Sequence, residues 1–285
     1  MPEFKTISIG EFEFDYQVAG EENNELVILL HGFPETSIIW SGLMDKLASQ
    51  GFCCVAPNMR GYSKGACPKG VNNYTMDKLS ADILAIAGAL GKNQFHLVAH
   101  DWGALIGWNI VYQHPERIIS WTAMSTPHNS AYFEALKSDS VQKKKSRYVS
   151  FILLPIIPEI LIRRNDFKMF RKIGKNSSIK EIEYHLSVFK KKVSLTGALN
   201  YYRANFKSRK NLYIGDIKTP TLYIWGKKDN ALGEIAAKGT ARYMKGDFTF
   251  LELLGGHWLI QTNYIEVESA IKKHLLKYKI ISNNT

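Results

Sequence analysis

The stretch Ala99-His100-Asp101-Trp102-Gly103 stands between an apolar run of strand length and an apolar run of helical length. Small residues, Ala99 and Gly103, lie two positions on either side of Asp101. A strand, a tight turn and a helix in this order form a nucleophile elbow, in which the central side chain is pushed out where the helix begins. The usual elbow has the pattern G-x-S-x-G, whereas here the centre is an aspartate and alanine replaces the first glycine. The stretch therefore predicts an α/β fold with a carboxylate at its reactive position.

The carboxylate of Asp101 suits a particular chemistry. An aspartate that attacks a carbon forms an ester with it, so it serves displacement at an sp³ carbon, as in an epoxide or a haloalkane. The helix that we expect to begin at Trp102 would supply amide donors and a favourable dipole, which keep the carboxylate ionised. A second interpretation is that Asp101 only caps the N-terminus of this helix. The pattern alone does not separate the two.

Strand-length apolar runs alternate with helical patterns along most of the chain. This rhythm favours a mostly parallel sheet that is covered by helices on both faces. The rhythm breaks between about Asn129 and Tyr213, where the sequence is rich in lysine, helical in pattern and interrupted by two prolines. We therefore predict a core formed by residues 1–128 and 214–285, with a helical insertion of residues 129–213 after the sixth core strand.

Two polar residues follow later strand-like runs. Asp229 comes after the run Thr221–Trp225, and His257 comes after the run Phe248–Leu254 and two glycines. The chain order Asp101, Asp229, His257 is that of nucleophile, acid and base in folds with such an elbow. Because an ester on Asp101 must be cleaved by water, we expect His257 to deprotonate the water and Asp229 to orient His257 and stabilise its cation. Taken singly, each could be a turn aspartate or a surface histidine.

A second stretch, residues 61–65 (GYSKG), matches G-x-S-x-G literally. The residues that follow it include Pro68 and Gly70, which cannot begin a helix. An elbow needs a strand, a turn and then a helix. We therefore predict that Ser63 is a loop residue, and a serine esterase that uses Ser63 is the less favoured interpretation.

Residues 31–34 (HGFP) follow an apolar run that is typical of a buried strand. The backbone N–H of Phe33 can be offered to an oxyanion, with the N–H of Trp102 as a second donor. The alternative is a simple turn at the end of the strand. The expected oxyanion hole and substrate pocket comprise Phe33, Trp102, His31, Pro34 and His100.

The charge of the chain leaves its partners open. The formal net charge is +11, and basic residues cluster between Lys143 and Lys192 and again between Lys272 and Lys279. Such a balance can indicate an anionic partner, but no nucleic-acid-binding motif accompanies it. We therefore favour a solvated basic surface and expect no nucleic-acid partner.

The cysteines and the apolar segments of the sequence favour a cytoplasmic protein. Cys53, Cys54 and Cys67 suggest neither a disulfide framework nor a zinc site. The first residues show no signal-peptide pattern, and the most apolar window is too short and too broken to span a bilayer. We expect no metal, no organic cofactor, no integral membrane segment, a monomer or homodimer, and disorder only over residues 282–285.

Five short motifs lie at the predicted strand ends and in the connecting loops: HGFP at 31–34, RGYS at 60–63, HDWG at 100–103, HPER at 114–117 and GHW at 256–258. With them, the chain resembles the epoxide hydrolase branch of the α/β-hydrolase superfamily over nearly its whole length. The resemblance implies an eight-stranded core sheet and a helical cap, which is where the predicted insertion belongs. One departure is Asn58, where relatives often carry aspartate before the Arg-Gly pair.

The resemblance also implies two tyrosines in the cap that hold the epoxide oxygen and protonate it, since an alkoxide is a poor leaving group without an acid. Tyr148 precedes Pro155 by the seven positions of one family pattern. Residues 199–203 (LNYYR) match a second pattern, LNWYR, except at Tyr201, which points to Tyr202. The alternative is that Tyr148 and Tyr202 are packing or surface tyrosines in an aromatic-rich segment.

Two other functions compete with epoxide hydrolysis. A haloalkane dehalogenase shares the aspartate nucleophile, and Trp102 could hold its halide. Relatives of that kind often carry asparagine where this chain has Phe33, and they do not need the cap tyrosines, so Phe33, Tyr148 and Tyr202 together favour an epoxide. A non-catalytic receptor for a small ligand could lose its nucleophile or base, whereas Asp101, Asp229 and His257 are all present.

The sequence says less about the substrate than about the reaction. The apolar stretch Phe151–Ile162 indicates a small hydrophobic epoxide, which would react with water. The lysines and arginines nearby suggest a substrate that carries a carboxylate. Both remain expectations about the pocket.

Overall fold

A sheet of eight strands forms the centre of the computed structural model, which describes residues 2–174, 176–207 and 212–280. Residues 282–285, for which disorder is predicted, lie outside the described residues. The strands are β1 (Glu3–Ile9), β2 (Phe12–Ala19), β3 (Glu25–Leu30), β4 (Phe52–Pro57), β5 (Phe95–His100), β6 (Ile118–Met124), β7 (Thr221–Gly226) and β8 (Phe248–Leu253).

The strands lie in the order β1-β2-β4-β3-β5-β6-β7-β8. Strand β2 pairs antiparallel with β1 and β4, and every other neighbouring pair is parallel. The predicted mostly parallel, eight-stranded sheet is therefore confirmed. Because β5, β6, β7 and β8 run parallel as neighbours, the loops that follow them meet at one edge of the sheet. The loops after β5, β7 and β8 carry Asp101, Asp229 and His257.

Helices cover both faces of the sheet, since alternate residues of the central strands enter two separate apolar clusters. In β3, Leu26, Ile28 and Leu30 join one cluster, whereas Val27 and Leu29 join the other. The α-helices are α1 (Ser41–Ala48), α2 (Met76–Ala89), α3 (Trp102–Gln113), α4 (Asn129–Ser138), α5 (Ser140–Lys145), α6 (Arg147–Ile152), α7 (Ile157–Ile173), α8 (Ile179–Phe189), α9 (Lys192–Asn205), α10 (Glu234–Gly239), α11 (Leu259–Thr262) and α12 (Tyr264–Lys277). Short 3₁₀ helices span Ser37–Trp40, Val71–Tyr74, Pro115–Arg117 and Thr240–Tyr243.

Helices α4 to α9 follow one another between β6 and β7, and we call them the inserted segment. The predicted helical insertion after the sixth strand is thus confirmed, while its bounds at residues 129 and 213 stay a prediction. Helix α7 is interrupted at Arg164–Phe167, where Asn165, Asp166 and Phe167 adopt left-handed backbone angles. Helix α8 begins with a capping box between Ser178 and Glu181.

The turn between β5 and α3 has the geometry of an elbow. Asp101 has a φ of 51° and a ψ of −117°, outside the helical region. A Cβ atom at Gly103 would lie only 2.6 Å from the carbonyl oxygen of Leu30 and 2.7 Å from that of His31. Close approach of α3 to the end of β3 therefore requires glycine at position 103, which is the packing reason for the pattern read in the sequence.

None of the helices in residues 2–174, 176–207 and 212–280 is long and apolar enough to cross a membrane. All three cysteines are free. In the same described ranges, no three His, Cys, Asp or Glu side chains group closely enough to hold a metal ion.

We predict that Gly103→Ala lowers the free energy of unfolding by about 1–3 kcal/mol, because the added methyl meets backbone that cannot move aside. The matched control is Gly88→Ala near the end of α2, where a Cβ atom meets nothing within 4 Å. That change should raise the free energy of unfolding by ~0.4–1 kcal/mol. Urea unfolding measures both, and equal effects of the two substitutions would contradict the packing argument.

Candidate active site

The side chain of Asp101 does not cap helix α3. It makes no hydrogen bond to the backbone of the first turn of the helix. Instead, Oδ1 accepts a hydrogen bond of 2.7 Å from the backbone N–H of Phe33, and Oδ2 lies 3.4 Å from Nε2 of His257. The interpretation that Asp101 only caps the helix is therefore wrong, because its carboxylate points toward other polar groups. Its role as a nucleophile stays a prediction.

The environment of Asp101 favours its ionised form. Burial raises the pKa of the carboxyl group, but the hydrogen bond and charge of His257 outweigh it, with help from His100 and the Phe33 N–H. The pKa of Asp101 consequently lies below its ordinary value. An ionised carboxylate with one oxygen held by an amide is a competent nucleophile.

His257 connects Asp101 to Asp229. Its Nδ1 lies 2.8 Å from Oδ2 of Asp229, while Nε2 faces Asp101. The second oxygen of Asp229 accepts hydrogen bonds from the backbone N–H groups of Ala231 and Leu232, at 2.7 and 2.9 Å. Lys145 also donates to the carbonyl oxygen of Asp229. The loop after β7 therefore fixes the carboxylate so that only one oxygen remains for the imidazole.

The charge on His257 depends on both carboxylates. Burial lowers the pKa of the imidazole, but the charge of Asp229 and the hydrogen bonds with Asp101 and Asp229 outweigh it and raise the pKa to about 10. His257 is therefore an imidazolium at neutral pH while both carboxylates are ionised. Loss of either negative charge would lower its pKa toward the range in which it acts as a base.

Tyr148 on α6 and Tyr202 on α9 lie together above Asp101, with ring centroids 6.1 Å apart in an edge-to-face arrangement. Burial of the hydroxyl raises the pKa of Tyr148 well above the ordinary value, although part of the residue is exposed to the cavity, and a hydrogen bond with Tyr202 adds to this. Burial and the charge of Asp101 also raise the pKa of Tyr202, against hydrogen bonds from Trp102 and Tyr148. Both phenols are consequently protonated.

A cavity of about 300 Å³ joins these groups. Apart from Asp101, His257, the two tyrosines and the amide of Asn230, its lining is apolar. No lysine or arginine is among the described residues that line it, so the expectation of a carboxylate-bearing substrate finds no support at the wall. The remaining lining residues are Phe33, Pro34, Phe151, Ile152, Ile162, Met169, Phe170, Ile173, Ala231 and Trp258.

The structure places His31 and His100 behind the cavity, which corrects the expectation that they lie around it. Both rings are fully buried. His31 accepts a hydrogen bond from the N–H of Met59, and burial lowers its pKa to about 4. His100 bonds through Nε2 to the carbonyl oxygen of His257 at 2.9 Å, because it precedes Asp101 in an extended strand and so faces the opposite way. His100 thus contacts the loop that carries His257, and His31 joins the end of β3 to the loop after β4.

The other two pocket residues differ from each other. Pro34 lines the cavity beside Phe33, as expected. The indole of Trp102 is buried, packs edge-to-face on Tyr202 at 4.8 Å and forms a hydrogen bond to its hydroxyl. The side chain of Trp102 therefore supports a tyrosine rather than opening into the cavity.

Ser63 lies in a turn that no α-helix follows directly, as predicted. Its hydroxyl donates to the carbonyl oxygen of Asn58 at 2.6 Å and accepts from the N–H of Asp15 at 2.9 Å. The serine is fully buried and ties two loops together. It has no access to a substrate in this arrangement.

Two buried contacts near the site were not predicted from the sequence. Arg203 forms a bidentate pair with Glu159, at 2.7 and 2.9 Å, which ties the start of α7 to the helix that carries Tyr202. Glu35 lies 3.3 Å from Nδ1 of His100 and accepts a hydrogen bond of 2.5 Å from Gln261. A lone glutamate within the apolar stretch Phe151–Ile162 was the available signal for the first contact.

We predict that Asp101→Ala lowers the pKa of His257 by about 1–3 units, because it removes one of two carboxylates that stabilise the imidazolium. Histidine ring protons followed by NMR against pH measure the pKa, and their absence in His257→Gln assigns the signal. Asp247→Ala is a control, since that carboxylate contacts Lys277 and Tyr278. A His257 pKa that is equal in the wild type and in Asp101→Ala would contradict the electrostatic account.

The chain is similar to known proteins in sequence and in structure. The sequence model of a family described as "alpha/beta hydrolase fold" matches residues 25–157. Epoxide hydrolase 4 of Mus musculus is 33% identical over 260 residues, which cover 87% of this chain and 72% of that protein. Epoxide hydrolase 3 of Xenopus tropicalis is 31% identical over 284 residues, covering 95% and 77%.

Solved structures give the same result. An epoxide hydrolase of Bacillus megaterium in complex with an inhibitor superposes with a TM-score of 0.87 at 26% identity, and the match covers 95% of this chain and all of that one. Sequence and structure thus agree over nearly the whole chain. The protein is a hydrolase that belongs to the epoxide hydrolase branch of the α/β-hydrolase superfamily.

Proposed function

We propose that this enzyme hydrolyses an apolar epoxide to a vicinal diol through a covalent ester on Asp101. The observation that carries the proposal is the arrangement within one cavity. The Asp101 carboxylate lies between an ion-paired imidazolium on one side and two protonated tyrosines on the other. A nucleophile and an acid on opposite sides of an apolar space suit the opening of a strained ether ring.

In the first step, Oδ2 of Asp101 attacks a ring carbon, and the bond from that carbon to the epoxide oxygen breaks. The oxygen takes a proton from Tyr148 or Tyr202 as charge develops on it, since these phenols lie in the cavity wall. Oδ1 becomes the ester carbonyl and keeps the hydrogen bond from the Phe33 N–H. Because burial makes a tyrosinate a strong base, the tyrosine then recovers a proton from the His257 imidazolium.

The second step follows from the change in charge. The ester no longer carries the negative charge of Asp101, so one support of the imidazolium is lost and neutral His257 can take a proton from water. The hydroxide attacks the carbonyl carbon, and the Phe33 N–H stabilises the oxyanion on Oδ1. Collapse releases the diol and restores the Asp101 carboxylate beside the imidazolium. Epoxide and water are consumed, and every protein proton is returned.

A haloalkane dehalogenase is the nearest alternative. Such an enzyme needs side-chain donors for the departing halide. Here Phe33 offers no side-chain donor to the cavity, and the indole of Trp102 bonds to Tyr202. A non-catalytic receptor is disfavoured because the contacts of Asp101, His257 and Asp229 form a complete relay. Substitution of Tyr148 or Tyr202 is therefore the best way to distinguish epoxide hydrolysis from dehalogenation.

We predict that Tyr202→Phe lowers kcat for a simple epoxide such as styrene oxide by about 10²–10⁴-fold, because the ring oxygen loses a general acid. The matched control is Tyr201→Phe, one residue away on the same helix. The hydroxyl of Tyr201 donates to the carbonyl oxygen of Arg60, away from the cavity. Its removal should leave kcat per folded molecule within about threefold, since no hydrogen bond to the substrate is lost.

Steady-state turnover of both variants, with the folded fraction measured by circular dichroism, decides the matter. Tyr148→Phe should resemble Tyr202→Phe in direction. If Tyr202→Phe and Tyr201→Phe turn over styrene oxide equally well, the assigned acid is wrong. If they instead differ only on bromoalkanes, the dehalogenase takes the place of the epoxide hydrolase.

A further inference from the structure

An exposed apolar patch lies on the inserted segment and has no role in the proposed chemistry. Its members sit on the loop between α6 and α7 and on the first turns of α7. They are Leu154, Ile156, Ile157, Ile160 and Leu161, which expose 43%, 68%, 49%, 62% and 47% of their surface. We call these five residues the apolar patch. Contiguous apolar surface of this kind marks an interaction site on a water-exposed protein.

The fold directs these side chains outward. In α7, Ile157, Ile160 and Leu161 stand at helical spacings of three and four and so share one face. The other face is engaged, because Glu159 pairs with Arg203 and Ile162 lines the cavity. The exposed face is therefore held in place by buried contacts beneath it.

The segment that carries the apolar patch is strongly basic, and most of its lysines and arginines are exposed. Residues 140–174 contain nine lysines and arginines and two acidic residues. Both acids are paired with arginine, Glu159 with Arg203 and Asp166 with Arg171. Within the ranges that the structure describes, Arg171 alone of the nine bases forms an ion pair, while Lys145 and Arg163 bond to backbone carbonyl oxygens. The other six bases are Lys143, Lys144, Arg147, Arg164, Lys168 and Lys172.

The apolar patch also adjoins the wall of the cavity. Phe151 and Ile152 of the wall precede the patch in the chain, and Ile162 follows it directly. Further along α7, Met169 both lines the cavity and exposes 43% of its surface. Helix α7 consequently carries both part of the apolar patch and part of the cavity wall.

We propose that the apolar patch and the exposed basic residues of the same segment dock on the surface of an anionic lipid bilayer. Exposed isoleucine and leucine side chains enter the boundary between headgroups and acyl chains, while lysine and arginine bind anionic headgroups. The long stems of these basic residues let them reach the headgroups beside a buried apolar stretch. Docking would place the cavity next to the phase in which an apolar epoxide dissolves; this consequence rests on the proposed function, whereas docking does not.

The positive charge of the segment favours an anionic bilayer over a second copy of the chain as the partner of the apolar patch. A twofold dimer through the apolar patch would bring the same basic surface against itself. Like charges around a shared apolar contact oppose such association, and the ion pairs of the two acidic residues leave little to compensate them. An anionic bilayer, by contrast, can bury the apolar patch and bind the basic residues of the same segment.

The test is co-sedimentation of the full chain with vesicles of phosphatidylcholine alone or with about one third phosphatidylserine. We expect the partition coefficient to be about tenfold or more higher on the anionic vesicles, since each basic residue near the surface contributes. The partition coefficient on anionic vesicles should be about tenfold lower for the double variant Ile156→Asn/Ile160→Asn than for the wild type. It should also be about tenfold lower for Lys143→Gln/Lys144→Gln. Neither pair lines the cavity, so turnover of a soluble epoxide stays unchanged.

The matched control is Ile235→Asn/Ile265→Asn, whose isoleucines are 60% and 77% exposed on other helices. It should bind anionic vesicles as the wild type does. The proposal is overturned by equal binding to the two kinds of vesicle, by wild-type binding of the patch variant, or by an equal loss in the control. It is also overturned if sedimentation equilibrium shows a dimer that Ile156→Asn/Ile160→Asn dissociates. Vesicle binding needs no turnover, so its failure leaves the proposed reaction untouched.

Discussion

The contact between the Asp101 carboxylate and His257 is the interaction on which the remaining structure depends. It exists because a tight turn holds Asp101 at a positive φ, so that its side chain leaves the helix it precedes. Gly103 permits that turn, and the Phe33 N–H fixes one carboxylate oxygen. The sheet then supplies the partner, since the parallel strands β5, β7 and β8 deliver the three loops to one edge.

The proposed function of this contact depends on the balance of charge between the two carboxylates and His257. Two carboxylates hold an imidazolium in a buried site, since their charges and hydrogen bonds together outweigh its desolvation. Esterification of Asp101 would remove one of them and turn the same imidazole into a base at the moment when a base is required. Burial likewise keeps the protons of Tyr148 and Tyr202 in place, which the proposed mechanism requires of an acid that protonates the epoxide oxygen.

Local patterns explain how much of this could be predicted. The elbow, the parallel sheet and the helical insertion follow from apolar periodicity and from glycine spacing, which act over a few residues. Tyr148 and Tyr202 followed only from family patterns, since their meeting depends on how α6 and α9 pack. The roles of Glu159 and Glu35 could not be predicted from the sequence, because their partners, Arg203 and His100, are distant in the chain. The interruption of α7 at Arg164–Phe167 has no glycine or proline to indicate it.

The most direct measurement of the central claim is the intact mass of His257→Gln after exposure to styrene oxide. Without the base, the ester on Asp101 should form and persist, so the account predicts a gain equal to the whole mass of the epoxide. The double variant Asp101→Ala/His257→Gln should show no gain. An unmodified His257→Gln protein, or a gain that survives the loss of Asp101, would contradict the assignment of the carboxylate as the nucleophile.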